Sequence, residues 1–395
     1  MATGVQGAGR GTEREVAPEG SRIERAERHG AGDEVRRLLA VGRAGLPLAI
    51  DAGSGDLVQT VRRAGGAGSA IRQEGTSLRY TAIAALGLSR LPELEQRQVL
   101  GGRTAAEMAD AVGTRAVGQP DPGAVALAAW AVAEISGTAA PELLSRLGRD
   151  LSGGRPLPTV DLSWMVTAAL AAGSTGEAVA ALAAARLLEG QGDHGVFPHV
   201  LPARSQNRWR RHVGSFADQV YPLQALARMF RATGDRSQLD AAEAAADRIC
   251  ELQGPDGQWW WHYDVRTGDV VERFPVYSVH QHAMAPMTLF DLADAGGRDR
   301  TAEVVRGLEW IRTHPEVDED LVDESLGVIW RKAGRHEPPK AVRRISAVTT
   351  SLRPGLRLPL LDRAFPVDRV DHECRPYELG WLLYAWLPGR GEGTS

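Results

Sequence analysis

The chain has only two cysteines in 395 residues, Cys250 and Cys374, far apart and in no CxxC pattern. That excludes a disulfide-stapled scaffold and a cysteine-built metal centre, and it fits a reducing compartment. The first twenty residues, MATGVQGAGRGTEREVAPEG, lack the apolar segment of a secretory leader. No apolar run is long enough to span a bilayer; the longest, Ala124 to Ile135, is short and contains Glu134. Lys and Arg are scattered rather than clustered and the formal net charge is −4, which argues against a nucleic-acid or polybasic membrane surface. The expectation is a cytoplasmic protein without nucleic-acid or membrane partners.

What is present is core material. Hydrophobic residues make up 43% of the chain, enough for two ordinary domains or one large closed architecture. Residues 1–33 are rich in Gly, Glu and Arg without apolar periodicity and read as a disordered tail. A short helix is expected to begin within Val35 to Ala40. A small hairpin is expected where Leu46–Ile50 and Leu57–Val61 flank the turn residues 51–56.

From Thr76 the pattern becomes helical, and the helices come in pairs. One set begins at Thr76, Pro122, Asp161, Ser215, His280, Asp323 and Tyr377 and is apolar around most of its circumference, as helices buried on nearly every side must be. Between them lie charged, one-sided helices beginning at Gly176, Arg236 and Arg300. Gln191-x-x-x-Gly195-x-Phe197 and Gln253-x-x-x-Gly257-x-Trp259 repeat one pattern, and the helices that follow carry Pro222 and Pro286 in early turns. Aligning the prolines sets Asp218 opposite His282. With about seven inner helices, the arrangement that buries each hairpin against its neighbours is a closed ring. The expected fold is therefore all-α, an (α/α)6–7 toroid over residues 34–390, with the small hairpin and the tail in front of it.

The Q-x-x-x-G-x-W/F element resembles the QW repeat of terpenoid cyclases and protein prenyltransferases, which are α/α toroids. The long aromatic connections into inner helices resemble the six-hairpin enzymes of carbohydrate metabolism, among them glycosidases, epimerases and unsaturated-uronide hydrolases. The resemblance covers roughly residues 76–390 as architecture and two segments as motif, so it speaks to fold more than to activity. The acidic DxDD and DDxxD motifs of terpenoid cyclases are missing. Asp371-His372-Glu373-Cys374 departs from a prenyltransferase zinc site.

Sugar sites pair aromatic platforms with polar groups and use carboxylates or histidines to move protons. In a toroid the inner-helix starts converge at one end of the axis. The residues at those starts are therefore the site candidates. His280, His282, Asp218 and Glu324 are expected to contain the acid and base. Arg79, Tyr80, Trp164, Tyr221, Trp260, Tyr277, Arg375 and Tyr377 are expected to bind substrate. Asp161 and Asp218 also stand where helix caps stand. The segment Gln253 to Phe290, with Trp259–Trp261, His262, Tyr277, His280 and His282, holds the densest collection of such groups.

The leading expectation is a bacterial-type, carbohydrate-active enzyme acting on a sugar or oligosaccharide by hydrolysis, elimination or epimerisation, with neither metal nor organic cofactor. The alternatives are an isoprenoid-binding cyclase-like protein and a non-catalytic toroid that binds in polysaccharide or natural-product biosynthesis.

Overall fold

Thirteen residues of the segment Pro122–Ser136 are Ala, Val, Leu, Ile, Trp, Gly or Pro, and only Glu134 and Ser136 are polar. Such a helix has no face for water, and nearly all of its side chains are buried. By contrast, Pro141–Ser152 buries only Leu143, Leu144, Leu147 and Leu151, the single stripe of a rim helix. Alternation of these two kinds of helix builds the whole fold. The computed structural model describes residues 20–64, 71–338 and 340–389.

In chain order the helices are α1 (Arg22–Glu27), α2 (Gly32–Leu48), α3 (Leu78–Leu88), α4 (Glu93–Val99), α5 (Ala105–Ala116), α6 (Pro122–Ser136), α7 (Pro141–Ser152) and α8 (Thr159–Ala171). They continue with α9 (Glu177–Gly190), α10 (Ala217–Thr233), α11 (Arg236–Glu251), α12 (Ala285–Asp294), α13 (Thr301–Thr313), α14 (Ala341–Leu352), α15 (Leu360–Ala364) and α16 (Tyr377–Trp386). Among the described residues, α3, α6, α8, α10, α12 and α16 form an inner ring, each packed on the next and α16 on α3. The helices α2, α5, α7, α9, α11 and α13 pack outside them. The ring closes by backbone contact. A Cβ on Gly87 of α3 would lie 2.1 Å from the carbonyl oxygen of Gly380 on α16, so neither helix could approach so closely with a side chain there.

The sequence repeat is physical. The Gln191 side-chain amide donates to the carbonyls of Gly195 and of Ala241 on α11, at 2.8 Å each. Gln253 does the same to Gly257 at 3.0 Å and to Glu303 on α13 at 2.9 Å. Gly195 and Gly257 both have φ in the left-handed region, and a Cβ on either would strike the carbonyl of Ala244 or Arg306. Each glutamine thus ties one connection to the next outer helix. Two further glutamines hold the aromatic of each motif by its backbone: Gln219 accepts from Phe197 N–H at 2.7 Å and Gln281 from Trp259 N–H at 3.3 Å.

All these pairs share one spacing, which places Asp218 opposite His280. The proline alignment that set it opposite His282 is corrected by a π turn at His280–Met284, where α12's approach carries extra residues.

Three further expectations need correction. The segment from Asp323 is not a seventh inner helix. Val322–Asp323 pairs with Val328–Ile329 as a ribbon, and the Asp323 carboxylate accepts from Ser325 Oγ and Leu326 N–H to build the turn between them. The hairpin expected around residues 51–56 reduces to one bridge, Ile50 to Leu57, because Leu46–Leu48 end α2. The actual hairpin pairs Val58–Arg63 with Ile71–Thr76, and Glu373–Cys374 joins its other edge. Within the expected tail, residues 1–19 lie outside the described residues. Residues 22–33 carry α1 and the start of α2, and the Ser21–Glu24 capping box starts α1.

Short ribbons lead into the inner helices at their N-terminal end. Leu157–Pro158 pairs with Val200–Leu201 before α8, and Val213–Ser215 pairs with His262–Asp264 before α10. His262–Asp264 turns back through residues 265–269 to pair with Val270–Glu272. Val276–Tyr277 pairs with Lys332–Arg335, which also pairs with Val367–Asp371. This end of the ring is the mouth.

Candidate active site

The first turns of α3, α6 and α8 meet at the mouth through Arg79. Its Nε donates to the Asp121 carboxylate at 2.6 Å, and its Nη1 lies 3.1 Å from Asp161 Oδ1. Asp121 caps α6 through Gly123 N–H. Asp161 does not cap: it lies inside α8, is almost fully buried, and turns its carboxylate to Arg79. Burial raises the Asp161 carboxyl above the usual carboxylate range and Arg79 opposes that shift, with a net rise. The Arg79 guanidinium sits over the Trp164 ring at 5.2 Å, and Trp164 meets Tyr221 edge to face at 5.2 Å.

Asp218 is brought to His199, not to a histidine of the next repeat. Its carboxylate accepts from Ser215 N–H and Oγ–H, both at 2.7 Å, the reciprocal pattern of an S-x-x-D helix start. It also lies 3.1 Å from His199 Nδ1. Asp218 is fully buried whereas the His199 side chain is 48% exposed, so the pair has a sealed end and an open one. The hydrogen bond and charge of Asp218 raise the imidazole above the ordinary histidine value, and the Asp161 charge adds to the effect. With Nδ1 held by Asp218, Nε2 is the nitrogen that faces outward.

The opposite side of the mouth is aromatic and cationic. Tyr80 and Tyr377 stack with centroids 4.6 Å apart. Arg375 is held by Glu373 at 2.9 Å and lies beside Tyr80, and Arg331 lies over Tyr277 at 5.5 Å. Trp261 is half-buried, stacks on His262 at 4.0 Å, meets Tyr277 at 5.6 Å and receives Arg343 over its ring at 4.9 Å. His262 is buried with Nδ1 unpartnered. Burial, then Arg210 and Arg343, hold its imidazole well below the ordinary value, so it is neutral.

The structure gathers Asp218, Arg79, Tyr80, Trp164, Tyr221, Tyr277, Arg375 and Tyr377 at the mouth, and leaves four expected residues either away from it or sealed beneath it. Glu324 is at a ribbon turn on the outer surface, paired with Arg37 of α2 at 2.9 Å. Trp260 is buried, packed between Phe274 and Arg273. His280 is buried against Phe216 and Tyr277, and desolvation pushes its imidazole down to about 3. His282 is fully buried, its Nε2 3.2 Å from Glu378. Beside them the mouth holds Asp161, Trp261 and His262, which the sequence pattern marks without a role, and His199, Asp121, Arg210 and Arg343, which it does not place there. Of these, His199 lies two residues beyond the aromatic of the first repeat, Phe197. Among the described residues no three His, Cys, Asp or Glu side chains converge as a metal cage requires.

The chain folds as an all-α toroid of helical hairpins. Among solved structures, the chain is similar to an unsaturated glucuronyl hydrolase specific for heparin, with 14% identity over 90% of this chain and 96% of that one, at a TM-score of 0.57. It is similar to a sugar epimerase from a ruminal bacterium, with 11% identity over 82% and 99% and a TM-score of 0.54. It is also similar to a possible member of the GH105 family from Salmonella enterica serovar Paratyphi A, with 11% identity over 90% and 93% and a TM-score of 0.52. No protein-family model matches the chain, and no curated protein does. At such identities the likeness is one of fold.

Proposed function

We infer that the protein is a carbohydrate-active enzyme that transfers protons to and from a sugar unit held at the mouth. The observation that carries this reading is the Asp218–His199 pair, with its open imidazole within electrostatic reach of the buried Asp161. Their shifts suit complementary roles. The raised imidazole keeps its proton to higher pH than an ordinary histidine and serves as general acid through Nε2. The Asp161 carboxylate, made more basic by burial, serves as general base. Asp218 acts through His199 and is a positioning residue. The imidazolium protonates a departing oxygen, while Asp161 takes a proton from the attacking water or from a carbon next to a carbonyl.

Trp261, Tyr277, Tyr80 and Tyr377 supply faces for sugar rings, and Arg79 fixes Asp161. Two of the similar folds belong to sugar enzymes, a glucuronyl hydrolase and a sugar epimerase, which agrees with this reading. An isoprenoid chain would need apolar walls, whereas this mouth is lined by ion pairs and tyrosine hydroxyls.

The test is turnover and thermal stabilisation of the full chain across uronides, neutral oligosaccharides and isoprenoid diphosphates, with His199→Ala and Asp161→Asn alongside. A sugar that stabilises all three proteins and is turned over only by the wild type supports the proposal. Stabilisation by isoprenoid diphosphates alone, or full turnover by either variant, overturns it.

A further inference from the structure

The arginines look scattered along the sequence, but two stretches without any carboxylate fold side by side. Residues 195–217 contain no Asp or Glu and carry Arg204, Arg208, Arg210 and Arg211. Residues 338–361 contain none either and carry Lys340, Arg343, Arg344, Arg353 and Arg357. They are joined where His212 Nε2 meets Thr350 Oγ1 at 2.9 Å and where Ser351 Oγ donates to the Arg208 carbonyl at 3.1 Å. Among the described residues, Arg204, Arg208, Arg211, Lys340, Arg344 and Arg353 make no ion pair, although ion pairs are plentiful elsewhere in the molecule. A chain of net charge −4 thus carries one cationic face.

The same face is apolar. Nine large apolar side chains are exposed among the described residues, and five of them, Ile345, Val348, Leu352, Leu358 and Leu360, fall within residues 345–360. Helix α14 docks by Val342, Ala347 and Thr350, with Ser346 Oγ donating to Glu272 at 3.0 Å. Ile345, Val348 and Leu352, spaced three and four apart, therefore form its outward stripe. Leu352 is 69% exposed and Leu360 72%, a costly arrangement for a surface facing only water.

We propose that α14, the segment 353–361 and the adjoining loop 203–211 form a docking face for an anionic membrane surface. Charge complementarity selects this occupant. Aliphatic side chains ringed by unpaired cations match the acyl–headgroup boundary of an anionic leaflet, the pattern of interfacial helices. A second copy of the chain would set arginine against arginine across the contact. An acidic polysaccharide would use the cations and leave Leu352 and Leu360 without a role. No described helix is long and apolar enough to cross a membrane, so the attachment is peripheral. Arg343 lies over Trp261 at the mouth, so docking would bring the mouth to the lipid surface.

The test is co-sedimentation of the full chain with vesicles of phosphatidylcholine alone and of phosphatidylcholine mixed with phosphatidylglycerol, at low and high salt. Binding should occur only with phosphatidylglycerol and weaken as salt rises. Leu352→Ser with Leu360→Ser should lower partitioning by roughly tenfold or more. Arg344→Ser with Arg353→Ser should lower it by about fivefold per arginine. Neither pair should move the thermal midpoint, because all four side chains are exposed. Absence of binding at low salt, or both pairs binding like the wild type, overturns the proposal. So does capture by polygalacturonate without capture by vesicles, which would assign the face to an acidic polymer. Because the readout is binding, the result is independent of which sugar, if any, is turned over.

Discussion

Replacing Asp218 by Asn separates a structural role from a functional one, because the two have different sizes. The Asn side chain keeps an oxygen for Ser215 N–H and Oγ–H, so the start of α10 stays tied. What is lost is the charge beside His199, whose side chain is 48% exposed and therefore screened. Pairs of that kind contribute up to about 1 kcal/mol. The expected loss of stability is thus about 1 kcal/mol, read as a small shift of the urea midpoint at constant slope. Function should suffer far more. An Asn amide can turn its N–H₂ toward Nδ1, making that nitrogen an acceptor and moving the imidazole proton to Nε2, the wrong tautomer for the reverse proton transfer. The expected fall in kcat is about 10²–10⁴-fold, or about 3–5 kcal/mol of activation free energy. The pH profile gives a second reading. The wild type should gain activity as pH rises through the Asp161 value, above about 4, and lose it as pH rises through the His199 value, above about 6.5. Removing the Asp218 charge should move only the alkaline limb, toward lower pH. A stability loss above about 3 kcal/mol with an unmoved alkaline limb would refute the reasoning and leave Asp218 a helix-start residue.

Two predictions concern the scaffold. At the C-terminal end of the inner helices, Asp291 accepts from Gln224 at 2.8 Å, Arg228 at 2.7 Å and Arg22 at 2.5 Å, so Asp291→Ala leaves the largely buried Arg228 short of its anion. It should cost about 3–5 kcal/mol by urea unfolding at neutral pH. Burial alone would raise the Asp291 carboxyl, but Arg228 and Arg22 hold it far below the usual range. Its stabilisation is therefore present above about pH 4 and lost as pH falls further, and the cost of the substitution should shrink in acid. Gly257→Ala forces a side chain into the left-handed region and its Cβ to within 2.0 Å of the Arg306 carbonyl, so it should destabilise by roughly 2–4 kcal/mol. A calorimetric midpoint equal to the wild type's would show that the motif glycine is dispensable.

The ring was legible because its cause is periodic. Helices buried all round read as unbroken Ala, Val, Leu and Trp, and rim helices read as stripes. The segment Val322–Trp330 failed that reading because turn chemistry decides it. Asp323, Ser325 and Gly327 build a tight turn, and Val328 and Ile329 continue as a strand. Glu324, placed at that turn, was carried to the outer surface and out of the site. The mouth was legible only as a place. Inner-helix starts had to converge, so Arg79, Tyr80, Asp218 and Tyr377 could be named before their partners. The partner of Asp218 could not be named, because His199 comes from the loop that precedes α10. The π turn at His280 also breaks the proline frame that pointed to His282. Arg210 and Arg343 reach the mouth from a loop and from α14, neither of which has a periodic signature.

The most direct measurement is a crystal structure of the Asp161→Asn protein soaked with a saccharide that the wild type turns over. The account predicts a sugar at the mouth, with one oxygen within about 2.6–3.2 Å of His199 Nε2 and a second oxygen or a carbon facing the residue at position 161. A sugar bound elsewhere on the ring, with His199 turned away from it, would contradict the account.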